Sequence, residues 1–228
     1  MVKFITAAVG LLAVLFSPLG YRLGLPLGVA FLCLIAGLVA LSVALVLALV
    51  TLIKGSGFGG SGTVLVVLIS LTVLSVTVWN IVGSGRTPAI HDITTDFNDP
   101  PQFLAVIPLR GTGENSVEYA GPQLATIQAR AYPDIKTTTV PYGFDMAVKR
   151  VLSVVGEMGW EIVFVDPENG HVEATDTTFW FGFKDDIVIR VRRLNNTHSL
   201  IDLRSGSRVG VGDLGANANR IKAFLSRF

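Results

Sequence analysis

At 228 residues, 50% hydrophobic and only 15% charged, with a mean hydropathy of +0.59, the chain is too apolar for one ordinary soluble domain. Its net charge of +1 hides two unlike parts. Before Ile90 stand only Lys3, Arg22, Lys54 and Arg86, with no acid; the remainder holds 18 − 4 = 14 basic residues against 17 acidic ones, or −3. A part of that sign lacks the basic surface that displaces phosphate counterions, so nucleic acid is set aside as a partner.

The apolar excess falls in three runs. The first, Phe4 to Tyr21, follows Lys3 and has no A-x-A-like cleavage site before Arg22, so it is expected as a retained helix rather than a signal peptide. The second, Leu25 to Ile53, has no charge over 29 residues, ample for the ~20 that cross a bilayer core, and Pro26 suits a helix start. Thr63 to Val82 is the third, with Trp79 placed for the headgroup boundary. Residues 1–88 are therefore expected to hold spans at 4–21, 25–53 and 63–82, with the lipid bilayer as partner.

KGSGFGGSG, Lys54 to Gly62, lacks the GxxxxGK[ST] pattern and is expected as a flexible turn. The amino terminus, Lys3 and Lys54 on one side against Arg22 and Arg86 on the other favour a cytoplasmic start by about one charge. Three crossings would then place the C-terminal part in the periplasm, on the outer side of the inner (plasma) membrane. The only cysteine, Cys33, lies in mid-span and does not settle the compartment. Asn195-Asn196-Thr197 matches a glycosylation pattern but reads as a hairpin turn.

The polar domain is expected over 89–228. Its first part, 89–142, begins IHDITTDFNDPPQF, where Pro100 and Pro101 forbid a helix, and reads as a long extended arm and candidate interaction surface. A short helix is expected around Pro122 to Ala131. From Phe144 the apolar residues Val148, Val151, Leu152, Val155 and Met158 recur at helical spacing until Gly159. Trp160 to Asp166 reads as a strand, Pro167 to Gly170 as a turn and HVEATDT as the returning strand. Phe179 to Phe183 is expected as a short aromatic strand whose Trp180 suits a membrane interface. Strands at Ile187 to Arg192 and Leu200 to Arg204 follow, and Gly215 to Phe228 forms a last helix with Asp213 to cap it. The class is α+β: three transmembrane helices, then a small antiparallel sheet with two covering helices.

EATDTTFWFGFKDDIVIRV (Glu173 to Val191), DLRSGSRVGVGDLGANANRIKAFL from Asp202, IHDITTD and DPPQF together resemble the bacterial and plastid family catalogued as domain of unknown function 1499. The resemblance runs from about Ile90 to the end. Three preceding spans are similar to one arrangement among its members. It implies a domain of cell-envelope or organelle settings and carries no established reaction.

Site residues must come from chemistry. Strand parity puts Arg190, Arg192, Asp202 and Arg204 on the face opposite Ile189, Val191, Ile201 and Leu203. A Gly/Ser loop running into a helix amino terminus, with Arg204, Ser205, Ser207, Arg208 and Arg220 around it, has donors for a phosphate, a carboxylate or a lipid headgroup. The competing expectation is an internal ion-pair network in which Asp202, Asp213 and Asp186 pin the last helix to the sheet through the same arginines. Asp176 shares its parity with Val172 and Ala174; it needs an arginine partner if buried and is otherwise a candidate acid.

No metal or cofactor pattern is present. Lys184-Asp185-Asp186 lacks EF-hand spacing, and His91, His171 and His198 lack zinc spacing. No G-x-S-x-G occurs either, so no catalytic residue is assigned. Three functions stay open: a domain that binds an anionic ligand or headgroup or assembles with an envelope protein, a purely structural scaffold, and a membrane-anchored hydrolase using His91 or Asp176 with Ser205 or Ser207.

Overall fold

The structure is a computed structural model, and it describes residues 1–55, 60–84 and 87–228. By contacts the chain forms two units, Met1–Gly85 with Phe179–Gly182, and Arg86–Thr178 with Phe183–Phe228.

The first unit holds α1 (Val2–Arg22), α2 (Leu27–Ile53) and α3 (Gly60–Ser84), all long and apolar enough to cross a membrane. Each begins within three residues of its expected position, because an uninterrupted apolar run is a purely local signal. Small residues decide how α1 meets α2. Gly10 and Gly37 bring the two backbones together: a Cβ on Gly10 would lie 2.9 Å from the Gly37 carbonyl oxygen, and one on Gly37 2.8 Å from that of Gly10. Ser17, buried, donates to the Ala30 carbonyl at 2.7 Å and ties the same pair. Of the expected turn at Lys54 to Gly62, residues 56–59 lie outside the described residues, and Gly60 to Gly62 already belong to α3. Residues 85 and 86, from the stretch that follows α3, are likewise outside them.

FWFGF is not a strand. It is a turn closed by the Thr178 and Phe183 backbones, and within the first unit Arg22 donates to the Phe179 and Trp180 carbonyls while Phe181 tilts against Tyr21 and Phe31. Gly182 at φ 76 makes that turn possible, and alternation cannot apply to a segment that reverses direction.

The second unit is built on a six-stranded antiparallel sheet in the order β1-β6-β5-β4-β3. Its long strands are β3 (Glu161–Asp166), β4 (His171–Thr177), β5 (Lys184–Arg193) and β6 (Ser199–Ser207). Two three-residue strands, β1 (Asp92–Thr94) and β2 (Thr138–Val140), both pair with β6, at its C-terminal and N-terminal halves respectively. These two were not expected; they turn part of the irregular arm into sheet edge. Gly170, at φ 64 and with the Val191 oxygen 2.5 Å from where a Cβ would sit, is required at the β3–β4 turn.

One face of the sheet is apolar. Val172, Ala174, Ile187, Ile189, Val191, Ile201 and Leu203 pack there against α5 (Phe144–Glu157) and α6 (Ala216–Leu225) in a single core. The spacing of Ala147, Val148, Val151, Val154 and Val155 presents one stripe of α5 to that core. Its end is a Schellman closure: Trp160 N–H donates to the Val155 carbonyl and Gly159 N–H to that of Gly156, with Gly159 at φ 70. Trp160 then stacks on Phe224 at 5.5 Å. Helix α4 (Pro122–Ala131) forms where expected, its Pro122 in the first turn. Gln128 is fully buried and exchanges hydrogen bonds with the Thr94 backbone in both directions.

The opposite face is polar, and the arm lies on it. Phe103 and Val106 pack on Val188, and a short 3-10 helix (Ile107–Leu109) follows.

Candidate functional site

The polar face follows from alternation in β4, β5 and β6. If Ile187, Ile189, Ile201 and Leu203 point to the helices, then Asp186, Val188, Arg190, Asp202 and Arg204 must point the other way. Register sets which of them meet: Arg190 pairs with Asp202 and Val188 with Arg204.

Arg204 is fully buried. Its guanidinium grips Asp92 (Nη2 to Oδ2 2.7 Å, Nε to Oδ1 3.0 Å), donates to the Val117 carbonyl at 2.7 Å, and lies between the Phe103 and Tyr119 rings. Burial, helped by Asp92 and opposed by Arg204, pushes the Tyr119 phenol up to about 12. Arg208 closes on Asp186 at 2.8 to 3.2 Å and on the Leu109 carbonyl. Asp186 also takes Arg110 at 2.8 Å and the Thr175 hydroxyl at 2.8 Å. Further along, Arg190 and Arg192 share Asp202 and Asp96, and Arg190 adds Asp99. Five guanidiniums, those of Arg110, Arg190, Arg192, Arg204 and Arg208, thus meet carboxylates of the sheet and arm.

Glu173 is the acid that fixes the arm. Fully buried, it accepts the consecutive backbone N–H groups of Leu104, Ala105 and Val106 at 2.7 to 3.0 Å and meets His171 Nε2 at 2.7 Å. Desolvation alone would raise its carboxyl, yet the bonds from His171 and from the three amides outweigh it, and the group sits below the usual glutamate range.

On the helix side a second cluster joins α6 to the strand ends. Arg220 donates to Asp176 at 2.8 Å, Asp185 at 2.6 Å and Asn217 at 2.6 Å. Ser205 donates to Asn217 Oδ1 at 2.6 Å, and Asn217 Nδ2 donates to Ser207 Oγ at 2.8 Å and to the His91 carbonyl. Asp213 accepts the N–H groups of Gly215 and Asn217, which caps α6.

The residues singled out from the sequence are therefore divided between two places. Arg190, Arg204 and Arg208 lie under the arm; Ser205, Ser207, Arg220 and Asp176 lie on the helix side; Asp213 serves the helix backbone. Adjacent positions on one strand point to opposite faces, so Arg204 and Ser205 do not line one cavity. Asp176 has the arginine partner its parity demanded, in Arg220. Sequence reasoning missed Glu173, Arg110 and Asn217, and did not pair Asp92 with Arg204 or Asp185 with Arg220. Glu173 carried a signal, since a strand buried on both faces leaves its acid no exit to solvent, but that second burial comes from the arm. Among the described residues, no group of three or more His, Cys, Asp or Glu is placed to hold a metal ion.

These observations define a class: an α+β domain whose sheet has helices on one face and its own arm on the other, following three helices apolar enough to span a membrane. The family described as a protein of unknown function, DUF1499, matches residues 92–228, and the chain belongs to it. No curated protein matches the chain.

Proposed function

We propose that this is a membrane-anchored assembly module, held by three spans in the inner (plasma) membrane with its domain on the periplasmic side, which binds an envelope protein through its arm. The observation that carries this reading is the way the arm is held. Glu173, Arg204 and Arg208 fix its backbone from below, while Leu104, Ile107 and Leu109 stand 58%, 47% and 53% exposed on its outer side. A rigid backbone presenting large aliphatic side chains within six residues suits a protein partner.

The anionic-ligand reading draws less support. Arg110, Arg204, Arg208 and Arg220 are each under a tenth exposed and already closed by carboxylates. Arg190 and Arg192, 19% and 40% exposed at their side chains, are more open but already share Asp96 and Asp202. A hydrolase gains nothing from Ser205 and Ser207, whose hydroxyls are engaged by Asn217, or from His91, whose Nδ1 meets the Val211 carbonyl.

The test is a photo-crosslinking amino acid in place of Ile107 in the full chain, in membranes, with the same group in place of Glu168 as control. A discrete protein adduct specific to position 107 is expected. Adducts to lipid alone, together with a co-purified anionic mass in native mass spectrometry, would overturn the reading. A periplasm-dependent reporter fused to the C-terminus tests the orientation; activity only from a cytoplasmic reporter would reverse it.

A further inference from the structure

The loop between β6 and α6 is unusual in two respects. It exposes Val211 (79%) and Leu214 (67%), and Leu214 is the one non-glycine residue with positive φ among those described, at 56°. A left-handed backbone at a non-glycine residue costs about 1–2 kcal/mol, and glycine would relieve it. Glycines occupy three of the positions around it, Gly210, Gly212 and Gly215. The loop therefore leaves an aliphatic side chain uncovered by the rest of the chain at a position that disfavours any side chain. Strain of this kind persists where the side chain has work to do.

The chain itself says what lies nearby. Thr87 Cγ2 comes within 3.1 Å of where a Cβ on Gly215 would sit, Ala89 packs on Gly212, and Asp213 N–H donates to the Ile90 carbonyl. The loop is thus fastened to the segment that follows α3. From Ser84, the last residue of α3, to Thr87 is three residues, a reach of at most about 11 Å. With 25 residues, α3 is roughly 37 Å long, more than the ~30 Å hydrocarbon core, so its end reaches the headgroup layer.

We propose that Val211 and Leu214 form an interfacial anchor, inserting into the headgroup and upper acyl region of the bilayer that α3 crosses. The partner is lipid, recognised by apolar contact and not by charge: of the loop's two ionised side chains, Arg208 is buried on Asp186 and Asp213 is turned inward to cap α6. Two aliphatic side chains give weak attachment on their own. Next to a covalent span they need only hold orientation, because the tether supplies the local concentration.

Single cysteines at Val211, Leu214 and, as control, Glu168 in the β3–β4 turn are introduced into the full chain carrying Cys33→Ser. They are spin-labelled in nanodiscs of phosphatidylcholine and phosphatidylglycerol. Collision with oxygen, which concentrates in lipid, and with a water-soluble nickel chelate is then measured. The expected result is an oxygen-to-nickel ratio at 211 and 214 several-fold above that at 168. Equal ratios at all three sites would overturn the proposal. So would labels at 211 and 214 shielded from both reagents, which would mean a protein contact. Leu214→Gly, in which the strain is relieved, provides a second readout: the label at 211 should move toward the aqueous ratio without loss of folded protein, and an unchanged ratio would count against an anchoring role for Leu214.

Discussion

Replacing Arg204 by alanine removes the most deeply buried guanidinium in the polar face. Asp92, 6% exposed, would be left without its guanidinium partner in a site largely closed to water. The Val117 carbonyl would lose its donor, Tyr119 its cation, and Phe103 one of two, Arg110 remaining over its ring. Breaking one partner of a buried pair costs about 3–5 kcal/mol, before any loss from the ring contacts. For a domain of this size each kcal/mol shifts Tm by roughly 3 °C, so a drop of about 10–15 °C is expected. The assay is thermal unfolding of the full chain in detergent, read by the near-ultraviolet signal of Trp160 in the stacked core. Arg204→Met with Asp92→Leu should recover most of the loss, because the apolar pair removes both charges together. A Tm within about 3 °C of wild type for Arg204→Ala, accompanied by loss of a bound anion, would refute the reasoning and return Arg204 to a ligand site.

Three further outcomes follow from the same structure. Glu173 titrates below its ordinary value when folded, so its stabilising contribution is complete above the unfolded glutamate pKa and disappears as pH falls through the lower folded value; Glu173→Gln should cost about 2 kcal/mol at pH 7 and flatten the acid limb of a stability–pH curve. Asp213→Ala should destabilise by about 1 kcal/mol and speed amide exchange at Gly215 and Asn217 in the first turn of α6, while an unchanged exchange rate would dismiss the cap. Gly37→Val should separate α1 from α2, so that a disulfide between cysteines placed at Ala7 and Ala44 forms readily in the Cys33→Ser parent and poorly in the variant.

Parity in the strands was legible because it needs only the two-residue repeat of an extended chain: Arg190 and Asp202 share a face opposite Ile189 and Ile201 whatever else the fold does. Helix α5 was legible from its valines, and α4 from Pro122. The aromatic run misled, since Phe179 to Phe183 has strand composition but reverses at Gly182. Strands β1 and β2 could not be seen, because three residues carry too little pattern and owe their conformation to β6.

The sequence by itself determined the three apolar helices, the α+β class and the alternation that sets arginines and aspartates apart from the core, because each depends on residues close along the chain. Only the tertiary structure decided what those charges do. Arg204 finds Asp92 across 112 residues, and Glu173 finds the amides of Leu104 to Val106 across almost 70. Those pairings depend on strand register and on the path of the arm. A guanidinium facing solvent and one sealed under a backbone segment have the same local sequence; what separates them is whether another part of the chain has replaced the water.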